Sequence, residues 1–393
     1  MQDPKTIVLT FLNCMGGVSS FNRNIVNFSE KKPGYRVRVI LLEDEQDTRQ
    51  KFTDEINADE VIHFPFSYWE NNRSMYRRLS GVIGSEPGCV VTDNWLTLNV
   101  LKHAGTPKSI VLLLHDMYYV GLAHQFGSLV DSCIAHSSFF KDVLLATDIE
   151  IFQDKVFYIP YGVELPRKEL TKSRSDGRLR LVFLGRWVAS KGVLLLKQID
   201  LALKTAKINA EWTILGAGPS EPELKQQWEN SDNVQFITAK DTAEVYQILE
   251  KQDILVFPSK FEGTPVAIME AMSRGVVPIV TDLPGGTRDM VTNDTGFRCQ
   301  SGNVQEFAAA ISGLDADREL LYKMQNNGLE KGRSQYDIRL AANNYVSFFR
   351  KMADGSSRHE KAKKWKLNGL DSPFLPTRLV YAIRKMKMKS KVR

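Results

Sequence analysis

Two glutamates, Glu262 and Glu270, stand eight residues apart in a stretch running from Phe257 to Gly275. An apolar strand, Ile254 to Phe257, leads into it and turns through Pro258 and Ser259. Thr264 is placed to cap a helix, Pro265 suits its first position, and Gly275 sits where a C-cap is expected. Glu262 falls just before that helix, where unsatisfied N–H groups and the positive dipole end point outward. Glu270 falls inside it, between Val266–Met269 and Ala271–Met272, and a carboxylate in so apolar a run is costly to bury without partners. The plain reading puts Glu270 on the solvent-facing stripe of an amphipathic helix. A second carboxylate beside an anion-ready helix start points further. Such a turn offers N–H donors to phosphate and carboxylates to sugar hydroxyls, which is the chemistry of a nucleotide-sugar site.

A second group supplies cations. The strand Leu179–Leu184 ends in Gly185-Arg186-x4-Lys191-Gly192, and a helix is expected over 193–204. Arginine makes a forked contact and lysine a point charge, a pairing suited to diphosphate; a solvated loop with two surface cations is the alternative. Gly216 and Gly218 follow the strand Trp212–Leu215 and would let backbone approach a nucleotide. In the first half, Asn13 to Ser20 is a glycine turn (Gly16, Gly17) whose serines could cap the next helix. It is not a G-x-G-x-x-G fingerprint, and no Walker A motif occurs. His115 and Asp116 close the apolar strand Val111–Leu114. His136, before Ser137, is assigned to structure. Aromatics at Phe66–Trp69 and Met117–Tyr119 would stack on sugars or pack under their loops.

These motifs resemble the family-4 glycosyltransferases, retaining enzymes of the GT-B fold. The resemblance rests on Glu262-x7-Glu270 with its flanking Phe-Pro-Ser, Glu-Gly-x-Pro and Glu-Ala-Met, and on Gly185-Arg186-x4-Lys191-Gly192. It extends to the Asn13–Ser20 loop, to His115-Asp116, and to Pro160-Tyr161-Gly162-Val163, where Tyr161 replaces the commoner Asn. It covers roughly residues 5–350. The implied fold is α/β, with two facing Rossmann-like, doubly wound domains and a cleft between them. The implied reaction is retaining transfer, of hexosyltransferase type, from a nucleotide diphosphate sugar to an acceptor hydroxyl. The donor would be held by Arg186, Lys191, Glu270, Gly17, Gly263, Thr264, Pro265, Gly216 and Thr238. Glu262 and His115 would act at the reacting sugar. No cofactor and no metal are expected: Asp315-Ala-Asp317 has metal-binding spacing but lies between helices, where Asp317 reads as a helix N-terminal acid.

The strand–helix alternation supports the same architecture independently. Short apolar runs at 6–12, 37–42, 61–64, 89–92, 110–114 and 133–135 imply a parallel sheet covered on both faces, and a second series begins at Leu179. At 393 residues, two domains are expected. They are placed at residues 1–164 and 179–335, with a linker at 165–178, a returning helix at 336–353 and a tail at 354–393. The net charge of +6 is concentrated in that tail. Residues 357–393 hold 12 Lys or Arg against Glu360 and Asp371, a local +10, leaving −4 for the remainder. An amphipathic basic tail points to an anionic membrane surface rather than to nucleic acid. Four scattered cysteines, no apolar run of membrane-spanning length and no export signal point to the cytoplasm. The acceptor is expected to be a sugar, an oligosaccharide or a lipid-linked sugar of envelope assembly. Two alternatives stay open: another GT-B activity, such as a sugar-nucleotide epimerase or phosphorylase, and a non-catalytic donor-binding subunit.

Overall fold

The computed structural model describes residues 4–14, 16–51, 55–67, 70, 72–166, 170, 177–355, 375, 376, 378, 379, 382, 383 and 386. The aromatics Tyr68 and Trp69, most of the 165–178 segment and most of the tail, Thr377 included, lie outside them. The described residues form two α/β units.

The first unit carries β1 (Lys5–Leu12), β2 (Tyr35–Asp44), β3 (Glu60–Phe66), β4 (Gly88–Thr92), β5 (Ser109–Leu114), β6 (Ser132–Ala135) and β7 (Val156–Tyr158). They pair in parallel in the order β3-β2-β1-β4-β5-β6-β7. Strand β5 shows why: from Ile110 to Leu114 no side chain exceeds 1% exposure, so helices must cover both faces. Each such residue contributes about 1.5–3 kcal/mol by burial, which makes the strand's carboxyl end a rigid base for His115.

The second unit carries β8 (Leu179–Leu184), β9 (Ala210–Leu215), β10 (Val234–Ile237), β11 (Ile254–Phe257), β12 (Val277–Thr281) and β13 (Phe297–Cys299), ordered β10-β9-β8-β11-β12-β13. All pairs are again parallel. In both sheets the order reverses beside the first strand, between β1 and β4 and between β8 and β11. Ligands of doubly wound sheets bind at the carboxyl ends of such neighbouring strands.

Strands β7 and β13 have no counterpart in the sequence reading. Each is three residues long, too short for a periodic pattern. The first unit gathers Met1–Ala135, Val143–Ile159 and the described residues from Ala342 on, and the second gathers His136–Asp142 and Pro160–Ala341. The division therefore falls inside the last helix, Ile338–Asp354. Within the first unit that helix is tied by Tyr345, whose hydroxyl donates to Ile159 O at 2.5 Å, and by Asp354, which accepts from Lys5 and Tyr35. All four cysteines are buried free thiols.

Candidate functional site

On the second unit, the loops after β8 and β11 are sewn together by backbone. Lys260 N donates to Ser190 O at 2.8 Å, and the Ser259 hydroxyl reaches the same carbonyl at 3.3 Å. Gly192 closes the short turn Ala189–Lys191 with φ 71°, and a Cβ there would lie 1.9 Å from Pro258 O. Only glycine permits both the left-handed backbone and that approach.

Close packing of these loops brings Lys191 to Glu262, with Nζ 2.6 Å from Oε1. The Glu262 side chain is 7% exposed and that of Lys191 21% exposed, so each compensates the other's burial. Lys191 Nζ also stands 5.9 Å from the centre of the Phe257 ring. Arg186, expected as the second diphosphate cation, is exposed on the same loop, and no ion pair joins it to another described residue.

The helix of the signature stretch runs Val266–Met272 and begins later than the sequence suggests. Pro265, at φ −74° and ψ 99°, is still extended and occupies the cap position, so Thr264 is not the N-cap. Its hydroxyl is buried with no hydrogen-bond partner among the described residues. With seven residues the helix adds only a small dipole, and side-chain charge dominates here. Its far end is as expected. Gly275, at φ 66°, and Val276 donate back to Met272 O and Ala271 O, the paired bonds of a Schellman close.

Glu270, on this helix, is partly accessible, yet burial pushes its carboxyl up to about 7, opposed only by Arg274. Arg274 is 2% exposed, lies 3.8 Å over the Tyr246 ring and donates to Glu164 O. A carboxyl raised by burial, with no ion pair to it among the described residues, is unusual inside a helix and is suited to accept from sugar hydroxyls.

The remaining expected donor contacts gather beside these. Gly216 has φ 144°, and a Cβ on it would meet Gly185 O at 1.9 Å, which locks the β8 and β9 loops together. Thr238 follows β10 and donates its hydroxyl to Gly216 O at 2.9 Å, so that group braces the loop. Gly263 accepts from Gly286 N at 3.0 Å, anchoring the turn after β12. Asp317 accepts from Leu320 N as a helix cap, and Asp315 pairs with Arg318.

On the first unit, Gly17 opens the helix Gly17–Phe28, and no side chain caps it. The expected capping by Ser19 or Ser20 fails because both lie inside the first turns, where Ser19 contacts Cys14. A Cβ on Gly16 or Gly17 would meet nothing within 4 Å, so the space over this turn is open. His115 closes β5 at 4% exposure. Asp116, its expected companion, instead caps the helix Met117–Phe126 by accepting from Tyr118 N at 2.7 Å. The carboxylate facing His115 is Asp93, 3.3 Å from Nε2. Sequence reasoning passed over Asp93, although a polar residue ending the apolar strand β4 was the available signal. On the second unit, His136 is 1% exposed and packs on Tyr161 at 4.5 Å.

Comparison with known proteins agrees with this geometry. Residues 167–331 match the family model of the glycosyl transferases group 1. The GDP-mannose:cellobiosyl-diphosphopolyprenol alpha-mannosyltransferase of Xanthomonas campestris is 24% identical over 52% of this chain and 54% of its own length. The N,N'-diacetylbacillosaminyl-diphospho-undecaprenol alpha-1,3-N-acetylgalactosaminyltransferase of Campylobacter jejuni is 25% identical over 49% of this chain and 50% of its own. The chain thus matches about half the length of these relatives. The sucrose-phosphate synthase structure from Thermosynechococcus elongatus superposes with a TM-score of 0.69 over 88% of this chain and 99% of that one, at 15% identity, a likeness of fold. The two doubly wound sheets follow the GT-B pattern, and the match to the glycosyl transferases group 1 model spans the loops of the second sheet that carry Lys191, Glu262 and Glu270.

Proposed function

We propose that this protein is a retaining, metal-independent glycosyltransferase acting on a nucleotide diphosphate sugar. The observation that carries the reading is the Lys191–Glu262 pair at 2.6 Å, at the carboxyl ends of β8 and β11, with Arg186 on the loop of Lys191 and Glu270 on the helix that follows Glu262. A departing nucleoside diphosphate gathers negative charge, and preorganised cations stabilise it better than water does. Lys191 and Arg186 supply that charge, and the Thr264 hydroxyl adds a donor. Glu270 holds the ribose hydroxyls. Glu262 faces the transferred sugar and stabilises positive charge at its anomeric carbon. His115 orients the sugar. The bond from the anomeric carbon to the diphosphate breaks, a bond to the acceptor oxygen forms on the same face, and the acceptor's proton leaves with the diphosphate.

The acceptor proposed is lipid-linked, in envelope polysaccharide or glycolipid assembly at the cytoplasmic face of a membrane. Support comes from the names of the Xanthomonas and Campylobacter relatives, which specify polyprenyl-diphosphate-linked sugars. The basic tail adds a reason for a membrane surface. No helix among the described residues is long and apolar enough to cross a membrane.

A thermal-shift screen of UDP, GDP and their sugars tests the donor site. A ligand at 100 times its Kd adds about 2.7 kcal/mol of stability. Failure of every nucleotide to shift the protein would remove the reading. Transfer is then followed with EDTA present; turnover lost to the chelator and restored by manganese or magnesium would overturn metal independence.

A further inference from the structure

The polar network beneath His115 has no place in the donor chemistry above. Asp93 follows β4 at the switch point of the first sheet and is 7% exposed. Its backbone is held on both sides. Thr92 exchanges a hydroxyl bond with Thr10 at 2.8 Å and accepts from Asn94 N, while Asn94 caps the helix Trp95–Ala104. A carboxylate buried this deeply requires donors. Asn22 Nδ2 gives one to Oδ2 at 2.5 Å, and His115 Nε2 stands 3.3 Å from the same oxygen, an ion-pair contact without hydrogen-bond alignment. The imidazole is meanwhile clamped edge-on by Phe21 at 5.5 Å and Tyr119 at 4.8 Å.

We propose that Asp93 is the positioning residue for His115, fixing the ring's rotation and holding a proton on Nε2. A nitrogen that faces a carboxylate is stable there only as a donor. Asn22 completes the arrangement by donating to the same oxygen, Oδ2. Asp93 itself touches no substrate. The inference rests on the reading that His115 orients the sugar.

The test is ¹⁵N NMR of the imidazole nitrogens in the labelled full chain, with His115 identified by the signals lost in His115→Gln. The expected wild-type tautomer carries its proton on Nε2. Asp93→Asn should release it toward the Nδ1–H form. A wild-type His115 protonated on Nδ1 overturns the proposal whether or not the variant folds. In kinetics with UDP-glucose and GDP-mannose as donor probes, Asp93→Asn should lower kcat about tenfold or more, since small misplacements of a positioned group are costly. KM for the donor and the thermal shift by UDP or GDP should stay within twofold. Wild-type kcat in a variant whose tautomer has changed would also overturn it. No turnover by wild type with any donor would instead fail the transferase reading, and the tautomer measurement would still decide the role of Asp93.

Discussion

Lys191 donates to Glu262 at 2.6 Å, so the cation assigned to the diphosphate already holds the carboxylate assigned to the sugar. Donor binding must therefore share or exchange this contact. Lys191→Ala removes a charge-assisted bond to phosphate worth about 1.5–3 kcal/mol, and should weaken UDP or GDP binding tenfold or more. Glu262→Gln has the opposite effect on binding. It frees Lys191 from a competing anion and should tighten nucleoside diphosphate binding by up to about fivefold while turnover collapses. Calorimetric titration of both variants checks the pair. Weaker binding in Glu262→Gln would show that Glu262 holds the nucleotide itself.

Glu270 carries a pH signature. Its pKa is raised by burial from 4.5 to about 7, against which Arg274 acts. Folding thus favours the protonated form, and this contribution is fully present below about pH 4.5 and lost as pH rises through about 7. Glu270→Gln should be more stable than wild type at pH 8, by about 1–3 kcal/mol, with the difference vanishing near pH 4.5. The same variant should bind sugar nucleotides more weakly, because the ribose hydroxyls lose a charged acceptor. Urea unfolding at the two pH values checks it, and a variant destabilised at pH 8 would contradict the assignment.

Glycines separate architecture from ligand space. Gly192→Ala places a methyl group 1.9 Å from Pro258 O at a φ of 71°, so the loop bearing Lys191 must move. A lower Tm and at least about tenfold weaker diphosphate binding are expected, because about 1–2 kcal/mol of backbone strain comes on top of the displaced lysine. Gly17→Ala meets nothing within 4 Å and should fold with an unchanged Tm. Loss of turnover there without loss of Tm would mark the open turn as ligand space.

Legibility in the sequence followed the physics of each element. Strands buried on both faces, such as β4, β5 and β11, declare themselves as unbroken apolar runs. Lys191, Glu262 and Glu270 were legible because they recur with glycines and prolines in a motif, whereas Asp93, which follows β4 with no such motif around it, was not. The start of the Val266 helix was misread because Thr264-Pro265 satisfies the capping pattern locally, while the backbone stays extended through Pro265. Pairing could not be read at all. Nothing in the spacing of Lys191 and Glu262, or of Asp93 and His115, says which charges meet, since loop packing around Gly192 and the β4–β5 register decide that.

The tail supplies the last prediction. Residues 357–393 carry a local charge of +10, and Leu379, Val380, Ile383 and Met386 recur at helical spacing between Lys and Arg. Among the described residues there, Arg378, Leu379, Ala382, Ile383 and Met386 are helical, Leu379 is 49% exposed and Met386 64% exposed. Exposed apolar side chains flanked by cations lie in a membrane interface more favourably than in water. Each Lys or Arg near an anionic surface contributes about 1 kcal/mol, so half of the tail's basic residues suffice to hold the protein there. Arg378 also donates to Gln46 at 2.7 Å, a contact with the loop after β2 that would compete with lipid. The full chain should co-sediment with vesicles containing anionic lipid, more strongly at low salt, and a chain ending at Gly355 should remain in solution. Equal binding by the two, or none by either at low salt, would assign the tail to packing on the body instead.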